Sequence, residues 1–249
     1  VQRIVSLVPS HTETLFDLGA GGQVVGRTRF CIAPEAAKTV PHVGGTKDAS
    51  LDKILALRPT LVVADKDENP KALVDALEAH GVEVLWSDIA TPHDAAAFVL
   101  RLARRVGGGA EAAAQHWRAG FDAAVAALPR PASPVPVFCP IWHPWMTFDG
   151  TSYPSAMLAA AGLRNVFGDH AGPRYFEVTD AEVRAAGAAW TLLPTEPFPF
   201  HRKPVDTAGL GPCGAPGRVR VVDGEALTWF GTRTAAGLVE LAKAASSLR

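Results

Sequence analysis

What this 249-residue chain has little of limits what it can be. Its three cysteines, Cys31, Cys139 and Cys213, are far apart and odd in number, so neither a disulfide framework nor a CxxC metal site organises it, and buried or free thiols are expected. Neither sign of charge is in excess. The 24 Lys and Arg face 25 Asp and Glu for a net charge of -1, which removes the electrostatic footprint of a nucleic-acid binder or of a protein held on an anionic membrane. No apolar run approaches the roughly 18 residues of a membrane span, and no basic-then-apolar stretch opens the chain. The chain starts at Val1 and enters a strand almost at once, so a trimmed leader is expected. Catalytic signatures are missing too: no GxSxG elbow, no GxxxxGK[ST] loop, and no GxGxxG after the first strand. Ser10 and His11 are neighbours in sequence, and adjacent residues rarely face each other as nucleophile and base.

What is present is a repeated alternation of strands and helices around one helical stretch. From Ala110 to Leu128, Trp117, Phe121, Val125 and Leu128 recur at three-to-four-residue spacing, the pattern of a one-faced helix. Gly107-Gly108-Gly109 breaks the chain before it and Pro129 with Pro131 stops it afterwards. On the N-terminal side, Arg3 to Val8 reads as a strand ended by Pro9, with Ser10 or Thr12 capping a helix. A strand at Val24-Val25, a helix capped by Ser50, a fully apolar strand Leu61 to Ala64, a helix from Pro70 to His80 and a strand Val82 to Trp86 follow. A strand apolar throughout is covered on both faces, which favours a parallel sheet.

The second half repeats the first. Met157 to Gly168 echoes Leu15 to Gly26 as helix, glycine turn, strand, glycine, and Asp180 to Pro194 echoes Leu51 to Asp65 as helix, small turn, apolar strand. A strand from Val135 to Ile141, a helix from Ser155, a last strand Arg218 to Val222, a turn at Asp223-Gly224 and a helix Thr232 to Leu248 complete it. The expected fold is therefore α/β: two Rossmann-like lobes with central parallel sheets, residues 1–108 and 131–249, joined by a single long backbone helix, 109–130.

In open α/β sheets, ligands bind outside the carboxyl ends of the strands. That rule selects Ser10, His11, Phe30, Cys31, Thr46 and Lys47 in the first half, and Trp142, His143, Trp145, Arg174, Tyr175, Phe198, Trp229 and Phe230 in the second. The concentration of aromatic faces suits a large flat or conjugated ligand. His11, His143 and His201 raise a second reading, a transition-metal site, although no two share a local ligand spacing. Glu68, Glu196, Asp180 and Glu182 are carboxylates at related places in the two halves that can dock onto arginines of a partner.

Residues Ile4 to Glu13, Val24-Val25-Gly26, Val43 to Thr46 and Leu51 to Pro59 resemble the iron-siderophore and vitamin B12 class of periplasmic binding proteins. Trp145-Met146-Thr147, Gly162 to Phe167, Tyr175 to Val178 and Val222 to Glu225 with Trp229-Phe230 are similar to that family's C-terminal lobe. The resemblance implies a monomeric substrate-binding component of an ABC importer, periplasmic or held at the cell envelope, with cytoplasmic residence the alternative. It would capture a corrinoid or a ferric siderophore in the inter-lobe cleft, without catalysis or a resident cofactor, and deliver it to a permease and ATPase complex. By local match Phe30 and Tyr175 fall at aromatic positions that sandwich the corrin, Trp229-Phe230 lies at a third contact loop, and the acidic residue preceding that pair corresponds to Thr228. Glu68 and Glu182 are the nearest matches to the importer-docking glutamates. The alternatives are a metal-ion receptor using the cleft histidines, and a corrinoid or metallo-cofactor enzyme on the same scaffold.

Overall fold

The computed structural model describes residues 2–248. Its first half runs β1 (Ile4–Ser6), α1 (Pro9–Asp17), β2 (Val24–Arg27), α2 (Leu51–Ala56), β3 (Leu61–Asp65), α3 (Lys71–Ala79), β4 (Glu83–Ser87) and α4 (Pro92–Val106). Helix α5 (Ala110–Ala127) leads to β5 (Val135–Phe138), β6 (Met146–Phe148), α6 (Tyr153–Ala160), β7 (Leu163–Asn165) and β8 (Tyr175–Glu177). Then come α7 (Asp180–Ala186), β9 (Trp190–Pro194), β10 (Val219–Val222), α8 (Gly224–Thr228) and α9 (Thr234–Ser246). The chain forms two compact units. The first holds the residues up to Ile89, His93–Phe121 and Phe230–Arg233; the second holds Ala90–Pro92, Asp122–Trp229 and the residues from Thr234.

Each unit is built on a four-stranded parallel sheet, ordered β2-β1-β3-β4 in the first and β7-β5-β9-β10 in the second. Counted along the chain, both orders read second, first, third, fourth, so the echo in the sequence is a repeated topology. All five residues of β3 and all five of β9 are buried, as central parallel strands require. In the first unit Val5, Leu7, Ile54, Val62, Val74 and Leu77 pack into one core. In the second, Phe138, Trp145, Val183, Leu193, Phe200 and Leu210 do so. Fully burying side chains of this size stabilises by about 1.5–3 kcal/mol each.

Several local expectations are corrected. Helix α1 begins at Pro9 itself, after an extended Val8 and with no side-chain cap, because the fixed φ of proline suits a first helical position whose N–H has no partner. Ser10 and His11 therefore lie inside a helix. Helix α6 starts at Tyr153, capped by the Ser152 hydroxyl, which accepts from the Ser155 amide. Asp223 and Gly224 open α8 instead of forming a turn, the Asp223 carboxylate capping the Glu225 amide at 2.9 Å. Strand β5 ends at Phe138, short of the expected Ile141. Strands β6 and β8 pair as an antiparallel two-stranded sheet, Thr147 opposite Phe176; at three residues apiece they are too short to show an alternating pattern.

Buried polar groups fix the loops at the carboxyl end of the first sheet. Asn69, 3% exposed, donates from Nδ2 to the carbonyls of Leu7 (3.2 Å) and Thr46 (2.9 Å), while its Oδ1 accepts from the Asp65 amide at 2.9 Å. One side chain thus joins the segments that follow β1, β2 and β3. Replacing it by leucine leaves two carbonyls and an amide without their bonds, at about 1–3 kcal/mol for each group that stays dry. We expect Asn69→Leu to lose about 2–5 kcal/mol of stability by urea unfolding; a loss below about 1 kcal/mol would sink this assignment.

Candidate functional site

In the first unit the carboxyl end of the sheet carries a sealed polar chain. The Ser87 hydroxyl donates to Asp65 Oδ2 at 2.5 Å and lies 2.8 Å from His11 Nε2. Having spent its proton on Asp65, Ser87 must accept from His11, which fixes the Nε2–H tautomer. His11 Nδ1 is then a bare lone pair, buried and without a hydrogen-bond partner. The imidazole stacks on Phe98 at 4.5 Å and packs against Phe230 at 5.0 Å. Burial, with the Arg101 charge adding to it, lowers its pKa to about 3. Burial also raises Asp65 to about 6, the Glu68 and Asp67 charges reinforcing the shift and the bonds from Ser87 and Asp67 opposing it.

This arrangement holds a histidine, a serine and an aspartate but is not a catalytic triad. The acid is bonded to the serine and not to the histidine, and neither Ser87 nor His11 has any exposed surface, whereas a nucleophile needs access and a base oriented by the acid. The expectation that His11 touches ligand is corrected accordingly. Cys31 is corrected for the same reason: it is fully buried, its thiol 3.1 Å from the Thr28 hydroxyl, with burial pushing its pKa up. Ser10 and Phe230 are nearly covered. What this unit exposes is Phe30, 52% accessible with the Arg29 guanidinium 5.3 Å from its ring centroid, and the neighbouring Ile32. Thr46 is half-buried, and Lys47, on the surface, donates to the Asp67 carbonyl. Glu68, half-buried, has its carboxyl pushed up by burial while Lys47 opposes the shift.

The second unit displays an aromatic surface at the equivalent end of its sheet. Trp142 is 47% exposed and meets Phe198 edge-on at 5.5 Å; His143, on the surface, lies 6.2 Å from Phe198, and Lys203 sits 5.6 Å from the same ring. The Phe198 amide donates to the Ile141 carbonyl at 3.3 Å, tying the loop after β9 to the loop after β5. Trp145 does not share this surface. It is 5% exposed, packs against Phe138 and Phe200, and donates from its indole to Asp180 at 2.7 Å, so its expected ligand role is corrected to a core role. Trp229 is likewise nearly covered. Arg174 and Tyr175 are half-buried beside and within β8. Glu182 is engaged in a capping box with Thr179, whose amide and hydroxyl both bond Oε2 at 2.7 Å.

Glu196, at the carboxyl end of β9, was visible in the sequence only as a docking carboxylate. It is half-buried and accepts from the Thr228 hydroxyl at 2.9 Å. Burial raises its pKa to about 7, with Glu225 and Asp223 adding to the shift and the Thr228 and Trp229 donors opposing it. Among the described residues no three His, Cys, Asp or Glu side chains are grouped so as to hold a metal ion. The reading that joined His11, His143 and His201 fails at His11, whose one unpaired nitrogen is sealed among rings.

A profile of the family described as Periplasmic binding protein matches residues 4–190, well over half of the chain. The chain belongs to the periplasmic binding protein family. The vitamin B12-binding protein of Yersinia pestis (strain Pestoides F) is 36% identical to this binding protein over 87 residues, 35% of this chain. The match spans about a third, 31%, of that relative's own length. The periplasmic heme-binding protein RhuT of Roseiflexus sp. RS-1, in apo form, superposes with a TM-score of 0.84 at 25% identity, covering 99% of this chain and 98% of that one. The periplasmic vitamin B12-binding protein BtuF of Vibrio cholerae gives a TM-score of 0.80 at 20% identity over 99% and 97%, a likeness of fold.

The buried pair at the first sheet makes a prediction about acid stability. His11 binds its proton at about 6.5 when unfolded and about 3 when folded, so its contribution is full above pH 6.5 and is lost as pH falls toward 3. Asp65 runs the other way: raised from 3.8 to about 6, it favours the folded state most below pH 4, and that advantage is gone above pH 6. Between pH 4 and 6 the two slopes oppose. Asp65→Asn removes one of them, so its unfolding free energy should fall more steeply than wild type from pH 6 to pH 4. Parallel urea-derived curves for the two proteins would refute the pairing.

Proposed function

We propose that this chain is the substrate-binding component of an ABC importer, capturing a corrinoid or a related large metal chelate and carrying out no chemical step. The observation that carries the reading is the exposed aromatic surface formed by Trp142 and Phe198, edged by His143 and Lys203. Exposed aromatic faces held rigid by backbone hydrogen bonds, with a few polar groups beside them, are what a conjugated ligand uses for apolar contact and orientation. Phe30 offers the same kind of face on the first unit. Thr46, Lys47, Arg174 and Tyr175 are proposed as polar contacts to amide, carboxylate or phosphate groups. Relatives named for vitamin B12 and heme support a tetrapyrrole; a ferric siderophore is the second ligand class that the same chemistry admits. The metal belongs to the cargo, and the protein brings no cofactor of its own.

The protein would act as a monomer in the periplasm or at the cell envelope, delivering its ligand to a permease and ATPase complex. Glu68 and Glu182 are proposed as contacts to arginines of the permease. The bonds from Thr179 both fall on Glu182 Oε2, so that residue can keep its helix cap and present Oε1 to a partner.

Titration of tryptophan fluorescence with cyanocobalamin, cobinamide, hemin and a ferric hydroxamate, corrected for ligand absorbance and confirmed by calorimetry, tests the reading. One-to-one saturable quenching by at least one of them is expected. Trp142→Ala and Phe198→Ala should each weaken that binding about 5- to 50-fold, the usual cost of removing an aromatic anchor. Unchanged affinity in both variants would show that the exposed aromatic surface is not where ligand sits.

A further inference from the structure

The loop that presents Phe198 also presents Glu196, and the hydrogen bonding around that carboxyl group is over-supplied with acceptors. The Thr228 hydroxyl is 2.9 Å from Glu196 Oε1 and 2.9 Å from the carbonyl of Gly224, four residues earlier in α8. It has one proton. If that proton goes to Gly224, the Thr228 oxygen faces Oε1 with a lone pair, and a proton on Glu196 completes the contact. If it goes to Glu196, the Gly224 carbonyl loses a partner.

The other groups facing Glu196 are the Trp229 indole, as a donor, and the carboxylates of Asp223 and Glu225, as like charges. Asp223 is committed to capping the Glu225 amide. The backbone holds the carboxyl close to α8: a Cβ on Gly224 would collide with the Glu196 amide nitrogen and its Cγ, so glycine is required there for the loop and the helix to meet.

Resting on the reading of the second unit's aromatic surface as ligand-binding, we propose that Glu196 determines ligand specificity there, pairing with a neutral carboxamide of the ligand and rejecting a ligand carboxylate. A primary amide donates an N–H to a carboxyl oxygen of Glu196 whether or not that carboxyl carries its proton. A ligand carboxylate at the same place meets Glu196, Asp223 and Glu225 with like charge, on a surface where partial burial strengthens the repulsion. The site thereby selects a chelate whose periphery is amidated over one whose periphery is ionised.

The test is competitive binding of cyanocobalamin and its peripheral monocarboxylic acid derivatives, with hemin as the dicarboxylate probe, to wild type and to Glu196→Gln at pH 6 and pH 8. Glutamine keeps the shape and cannot ionise. Wild type should prefer the amide form at pH 8 and lose about tenfold of that preference at pH 6, where Glu196 carries its proton and its share of the repulsion is gone. Glu196→Gln should show a smaller preference, equal at the two pH values. A wild-type preference that is absent, or is identical in Glu196→Gln, overturns the proposal and leaves the importer reading standing. So does tight binding of hemin with no binding of cyanocobalamin. If none of the probes binds wild type, the aromatic-surface reading falls and this proposal falls with it.

Discussion

The structure of the first unit depends on one buried carboxamide. Asn69 uses its two donors and its acceptor on three backbone groups that hydrogen bonding within the sheet does not satisfy, because they lie where strands end and loops begin. A parallel sheet concentrates this problem at its carboxyl edge. Each strand there hands over to a loop, each loop carries unpaired amides and carbonyls, and water must be kept out of the core beneath. Asn69 solves it for three segments at once, and Ser87, at the last position of β4, ties the fourth strand end to the other loops through the side chains of Asp65 and His11. The exposed residues of this edge, Phe30 and Lys47, are placed by loops that these buried polar groups fix.

The same edge explains what was legible in the sequence and what was not. The order of elements was readable because it depends on local signals: β-branched runs, Ser50 as a helix cap, glycines after helices, and the run Leu61 to Ala64 that only a central strand accommodates. The duplication was readable because both halves solve the same packing problem with the same spacing. The pairing of β6 with β8 was not, since its register is set by contacts across about thirty residues and not by any pattern within three. Exposure was the hardest property to read. Trp142 and Trp145 are three residues apart and equally apolar, yet Trp145 reaches Asp180 with its indole and is drawn into the core while Trp142 stays out. His11 looked like a loop residue because Pro9 reads as a stop, whereas Pro9 starts the helix that carries His11 inward. A sequence shows which residues lie near a strand end; it does not show which way they turn when a distant partner decides the matter.

Trp229 and Phe230 make this division concrete within one dipeptide. Trp229 belongs to the second unit and faces Glu196; Phe230 belongs to the first and packs on His11. The residues that follow bind the first unit firmly. The Thr232 hydroxyl donates to Asp17 at 2.6 Å, its carbonyl accepts from the Trp117 indole at 2.8 Å, and Arg233 grips Glu13 through two bonds. The Arg233–Glu13 pair is partly shielded and bidentate, a geometry in which an ion pair contributes more than the solvent-screened median. A segment of four residues far along the chain is thus part of the first unit's structure, which no local pattern in the sequence reveals.

The two sheets repeat each other in chemistry as well as in order. In each, the third strand ends at or near an acid whose pKa is raised chiefly by burial, Asp65 closing β3 and Glu196 two residues past β9, and in each a hydroxyl from the fourth strand or the helix after it bonds that acid, Ser87 in β4 and Thr228 in α8. The difference lies in what covers them. Asp65 is closed over by His11 and its aromatic neighbours, so its high proton affinity is confined to the folded core and can affect only stability. Glu196 remains half-exposed next to Phe198, so the same high proton affinity is available to anything that reaches the loop. One duplicated motif therefore serves as a structural lock in the first unit and as a surface group able to change charge near neutrality in the second, and burial alone separates the two roles.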